Sequence, residues 1–83
     1  MFNDRYVYVR LIQVSGRQSV TVIIGLNGEE FNLKQILRAM KRTLACNGAI
    51  KEGNIQLQGD HRTNAAKWLV QQKIVDTREL KLS

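Results

Sequence analysis

The sequence predicts an α+β fold: a two-layer α/β sandwich of order ββαββαβ, with two helices packed on one face of a mixed sheet. Three observations predict it. Residues 6–13 alternate and residues 19–24 run β-branched, as half-buried strands do. Leu33, Ile36, Leu37, Met40 and Leu44 recur at helical spacing, and Ala65, Trp68 and Leu69 do so again later. Two helices with apolar stripes need a shared sheet face to cover, and 83 residues make one domain, residues 1–83, with one modest core.

The elements follow in order. Tyr6 to Gln13 places Val7, Val9 and Leu11 on one face and Tyr6, Tyr8, Arg10 and Ile12 on the other. The glycine-bearing connection Val14-Ser15-Gly16-Arg17-Gln18 leads to a second strand, Ser19 to Ile24, and a hairpin is the simple reading. Gly25-Leu26-Asn27-Gly28 reads as a turn. Asn32 is placed to cap the first helix, with Gln35 three residues on and Phe31 set to meet Ile36. Gly48 follows the last apolar helical residue and is expected to close that helix in the left-handed conformation. Ala49 to Lys51 and Ile55 to Gln58 flank a short turn, Glu52-Gly53-Asn54. Asp60 is expected to open and cap the second helix, Asp76-Thr77 ends its pattern, and Leu80 and Leu82 alternate as a last strand.

Net charge is +6, from 13 basic and 7 acidic side chains, which favours a polyanionic partner. Its distribution says more. From Phe31 to Lys51 there are five cations, Lys34, Arg38, Lys41, Arg42 and Lys51, and no acid. Four of them share one helix without an acidic neighbour at i+4, a repulsion that a phosphate surface would relieve. A single cysteine cannot form an internal disulfide, which suits a reducing compartment. Met1 to Arg5 is polar and reads as no signal peptide. No apolar run approaches the roughly 20 residues of a membrane-spanning helix, so a cytoplasmic protein is expected.

Enzyme chemistry finds no constellation. One cysteine and one histidine cannot make a four-ligand zinc site, and neither a metal nor a cofactor is expected. Cys46 reads as a small buried apolar residue at a helix end. His61 sits near a helix start, where imidazolium is disfavoured, so it makes a poor proton shuttle.

Two segments stand out, Ala45-Cys46-Asn47-Gly48 and Leu57-Gln58-Gly59-Asp60-His61-Arg62. With Val9-Arg10-Leu11 and Gly16-Arg17 upstream and Glu79 to Leu82 downstream, the chain resembles translation initiation factor 1 of eukaryotes and archaea. The resemblance covers nearly the whole chain. It implies the same sandwich, and a monomer that binds ribosomal RNA of the small ribosomal subunit near the peptidyl site. There it would work beside other initiation factors and act indirectly on the initiator tRNA to keep start-codon choice accurate. The candidate RNA- and ribosome-binding residues are Ser15, Gly16, Arg17 and Gln18 of the first loop, the helix cations Lys34, Arg38, Lys41 and Arg42, and Asn47, Gly48, Lys51, Asp60, His61 and Arg62.

The chain also departs from the family. Val14 and Gln18 stand where many relatives carry cations, so the first loop is expected to be a weaker electrostatic contact. The hairpin at Glu52-Gly53-Asn54 is shorter than in many eukaryotic relatives, and the long tail of the eukaryotic factor is missing, so contacts made by both are expected to be reduced. Two other classes stay open. Tyr6 and Tyr8 share a strand face with Arg10, either as ordinary half-exposed aromatics or as a base-stacking surface, and a general RNA-binding module with an open sheet face is the alternative. A small phosphate-handling enzyme, such as an acylphosphatase, is a more distant third. Trp68, on the apolar side of its helix, reads as core.

Overall fold

The computed structural model describes residues 6–26, 28 and 31–82; Met1 to Arg5, and Asn27 of the expected turn, lie outside the described residues. In order come β1 (Val7–Ser15), β2 (Gln18–Ile24), α1 (Leu33–Leu44), β3 (Gly48–Lys51), β4 (Asn54–Gln58), α2 (Arg62–Gln71) and β5 (Leu80–Leu82), the ββαββαβ order that the sequence predicts. The strands form one sheet, ordered β3-β4-β2-β1-β5. Its neighbours are antiparallel except β1 and β5, which run parallel with Val7 opposite Leu80 and Val9 opposite Leu82. The mixture follows from connection length, since a strand laid parallel to another must return by a long crossover.

Both helices lie on one face, α1 over β3 and β4 and α2 over β1 and β5. The alternation along β1 marks the two faces: Val7 and Val9 are buried beneath the helices, while Tyr8 and Arg10 are exposed on the far side. Val9, Ile23, Met40, Ile55, Leu57 and Leu69 are fully buried between the layers, joined by Trp68. Truncating one of the larger members to Ala costs about 2–5 kcal/mol, a large part of the stability of a domain this size.

The helical stripe of α1 divides. Ile36 and Met40 are buried, but Leu33, Leu37 and Leu44, expected in the core, are only half-buried and pack against it. The reason lies in the sheet beneath. β3 has four residues and ends the sheet, so the side of the stripe toward that edge, Leu33, Leu37 and Leu44, stays partly open, while Ile36 and Met40 lie inward of it.

The cap of α1 is as expected. Asn32 Oδ1 accepts the Gln35 N–H at 3.2 Å, and Phe31 packs against the core. Its end differs. The left-handed residue is Ala45 (φ 52°, ψ 51°), whose N–H reaches the Lys41 carbonyl. Gly48 comes three residues later, inside β3 and opposite Leu57. A Cβ on Gly48 would run into the Gln56 carbonyl and crowd the side chains of Leu57 and Leu37. Close approach of two strands, and not helix closure, requires glycine there.

Both hairpins are tighter than the sequence suggests. β1 extends to Ser15, which pairs with Gln18, so the first turn is only Gly16-Arg17; Val14 is the extra residue of a bulge between Gln13 and Ser15. In the second, Lys51 pairs with Asn54 across Glu52 and Gly53, both at positive φ, as a type I′ turn requires.

Candidate nucleic-acid interface

On α1 the expected cations form one stripe. Residues 34, 38, 41 and 42 fall within about a third of the circumference at about 100° per residue. Lys34, Arg38 and Arg42 are exposed, whereas Lys41 is half-buried. Lys41 is the member nearest in angle to Leu37 and Leu44, which accounts for its partial burial. Lys41 and Arg42 also occupy the last turn, where cations oppose the negative end of the helix dipole.

A second basic site lies on the other side of the sheet. A groove of about 570 Å³ opens between the tip of the first hairpin and the β3–β4 pair. Arg17 and Gln18 line it from the tip, and Asn47, Gly48 and Lys51 from the far side. The topology thus brings together five expected residues that are distant in the chain. Ser15 and Gly16 complete the tip itself, where the Gln13 side-chain amide donates to the Gly16 carbonyl.

The groove also holds residues that sequence reasoning passed over. Val20, Gln56 and Gln58 line it, and the pairing register explains why: Gln58 lies opposite Val20, and Gln56 opposite Val22. In the sequence Val20 and Gln56 are ordinary strand residues, and Gln58 stands out only as part of the Leu57–Arg62 segment. Only knowing that β4 pairs with β2 could have put their side chains beside the hairpin tip.

Asp60, His61 and Arg62 belong to neither surface and form a corner with partners of its own. Arg62 grips the Asp60 carboxylate with two bonds, Nε to Oδ1 at 3.0 Å and Nη2 to Oδ2 at 2.9 Å. This hydrogen bonding holds the Asp60 carboxyl below the usual carboxylate range and raises Arg62 further. Helix α2 starts at Arg62, with His61 at the cap position lacking a capping side-chain bond, so the expected role of Asp60 shifts by one residue. Its carboxylate, drawn to the guanidinium, still accepts the Arg62 backbone N–H at 3.3 Å.

The corner is fastened to the sheet by a residue with no functional signal in the sequence. Thr21, fully buried in β2, donates its hydroxyl to the Gly59 carbonyl at 2.7 Å and accepts the His61 N–H at 2.8 Å. The His61 ring meets the Gln58 carbonyl at 2.8 Å through Nε2.

Cys46, expected to be buried, is half-buried at the end of α1. The burial it does have pushes its thiol up, against a smaller lowering by Lys41, so it stays protonated at neutral pH. Among the described residues no group of His, Cys, Asp or Glu could hold a metal ion, and no helix is long and apolar enough to cross a membrane.

These features define the class: a small basic α+β sandwich with cations on a helix stripe and around a sheet-side groove. Comparison with known proteins narrows the class. A family model described as translation initiation factor SUI1 matches residues 3–75. The protein translation factor SUI1 homolog of Oryza sativa subsp. indica is 40% identical over 82 residues, covering 93% of this chain and 70% of its own. The eukaryotic translation initiation factor eIF1 of Drosophila melanogaster is 38% identical over 84 residues, covering 95% and 76%. The SUI1 homolog of the archaeon Aeropyrum pernix is 41% identical over 68 residues, covering 82% and 67%. The chain belongs to the SUI1 family, whose members are translation initiation factors and not enzymes.

Proposed function

We propose that this chain serves start-codon selection, bound to RNA of the small ribosomal subunit near the peptidyl site through the α1 cations and the first hairpin tip. The observation that carries this reading is the acid-free basic stripe of Lys34, Arg38, Lys41 and Arg42: the helix dipole accounts for Lys41 and Arg42 in the last turn, but not for Lys34 and Arg38 beside them. Arg17, at the exposed tip, is the second contact. A protein seated there obstructs premature accommodation of the initiator tRNA, so pairing at wrong codons is rejected by a clash. Other initiation factors share the complex, and the chain works in it as a cytoplasmic monomer.

Sedimentation with purified small subunits across a salt series tests the reading. Affinity should fall steeply with salt as the cations replace counterions on phosphates. Arg38→Ala, Lys41→Ala and Arg42→Ala combined should flatten the log–log slope by about one unit for each phosphate no longer neutralised. An unchanged slope in the folded triple variant would remove α1 from the interface.

A further inference from the structure

The uncovered face of the sheet is ordered by its register. Arg10, Val22, Gln56 and Ala49 form one row across β1, β2, β4 and β3, and Ile12, Val20 and Gln58 form the next. At the end nearer the first hairpin this face hollows into the groove of about 570 Å³, a volume typical of sites for small molecules. Its apolar part is Val14, Val20 and Ala49; its polar part is amides, Asn47, Gln18, Gln56 and Gln58; and Arg17 and Lys51 are its cations. No carboxylate is among the residues that line it.

We propose that this groove holds an unpaired ribonucleotide of an RNA strand, its base on the Val20 side between the amides of Gln56 and Gln58 and its phosphates on Arg17 and Lys51. The inference rests on the RNA-binding reading above and names the form of RNA that the sheet side takes. The chemistry selects the ligand. A primary amide offers a donor and an acceptor side by side, the pattern that base edges present. A concave site suits a base splayed out of a helix, because the bases of paired RNA are stacked and closed off, while duplexes are held by shape and backbone contacts. The cations suit the phosphates that such a base brings with it. An acidic peptide would satisfy Arg17 and Lys51 and meet the amides with its backbone, but its carboxylate side chains bring no flat apolar surface for the Val20 floor.

The test uses the full chain, isotopically labelled, titrated at low salt with decauridylate, with an RNA duplex of equal length and with oligoglutamate. Decauridylate should shift the side-chain amide signals of Gln56 and Gln58 and the backbone signals of Val20 and Ala49, and should bind at least about tenfold tighter than the duplex. Gln56→Ala with Gln58→Ala should weaken decauridylate binding about tenfold, the worth of one bidentate hydrogen-bond pair to a base. If the double variant does not fold, the signal shifts of the parent chain decide. Equal binding of strand and duplex, or shifts confined to α1, would overturn the nucleotide site even where sedimentation with small subunits succeeds. Tighter seating of oligoglutamate in the groove would overturn it in favour of a protein partner. If sedimentation with small subunits fails while decauridylate still occupies the groove, the ribosomal reading falls and the nucleotide site stands.

Discussion

The Gly59–Arg62 corner and the Gly16-Arg17 tip both carry recognisable motif residues, yet they are built in opposite ways. At the corner, main-chain groups of Gly59 and His61 are tied to the buried Thr21 hydroxyl, and Asp60 and Arg62 neutralise one another. At the tip, residues 13–18 are all exposed, and the Gln13 amide on the Gly16 carbonyl bridges the turn. A motif can recur because it holds the fold or because it meets a partner. What its charged side chains do tells which: at the corner Asp60 and Arg62 bond to one another, while at the tip Arg17 stands exposed to solvent.

The largest expected effect tests the corner. Thr21→Val keeps the shape and removes the hydroxyl, leaving the Gly59 carbonyl and the His61 N–H without their partner. Denaturant unfolding should show a loss of about 2–4 kcal/mol, with Thr21→Ser recovering most of it. A loss below about 0.5 kcal/mol would show that the corner stands without its fastening.

The tip should behave in the reverse sense. Arg17→Ala is expected to leave stability within about 0.5 kcal/mol of the parent, since the side chain is in solvent. Its affinity for small subunits should fall about tenfold, a loss of about 1.4 kcal/mol. In an initiation assay, initiation at UUG relative to AUG should rise with Arg17→Ala and fall with Gln18→Lys. Unfolding of the Arg17 variant, or parental codon ratios for both, would erase the distinction between the regions.

A smaller gain is expected at Ala45, where α1 ends in a conformation that costs a side chain about 1–2 kcal/mol. Ala45→Gly relieves the strain but loosens the unfolded chain, so a net stabilisation of about 0.5–1 kcal/mol should appear as a raised Tm. The smallest effect concerns pH. Asp60 and Asp76 are depressed by hydrogen bonds from Arg62 and Arg78. Groups of lowered folded pKa stabilise above the usual carboxylate range, and their contribution is lost as pH falls through their own lower values. Asp60→Asn should therefore shallow the acid decline in stability; an unchanged acid limb would mean that the exposed pair contributes nothing.

Local regularities were legible in the sequence. The alternation of Val7 and Val9, the spacing of Ile36 and Met40 and the Asn32 cap each depend on neighbours within about one turn or one pleat, and each is where the pattern puts it. Features set by distant contacts were not. Thr21 reads as a β-branched strand residue, and its role appears only when β2 meets a segment 38 residues away. Gly48 reads as a helix stop because it follows Leu44, while the constraint on it comes from Gln56 across the hairpin. The α1 stripe was visible as a run of charge, but the groove needed the strand order before Arg17, Lys51 and Gln58 could be seen to share it.

The parallel pairing of β1 with β5 has a consequence in time. Val7–Val9 meet Leu80–Leu82, so β1 gains its outer neighbour from a strand that follows both hairpins and both helices in the chain. Hairpins β1–β2 and β3–β4 close over two-residue turns and can form early, whereas this closure joins residues 7–9 to residues 80–82 and comes with the greater entropic cost. Until Leu80–Leu82 arrive, the nascent chain shows the free edge of β1, the kind of edge that recruits other strands. A three-residue strand, contributing little to the core, thus acts as the latch that takes this edge out of circulation.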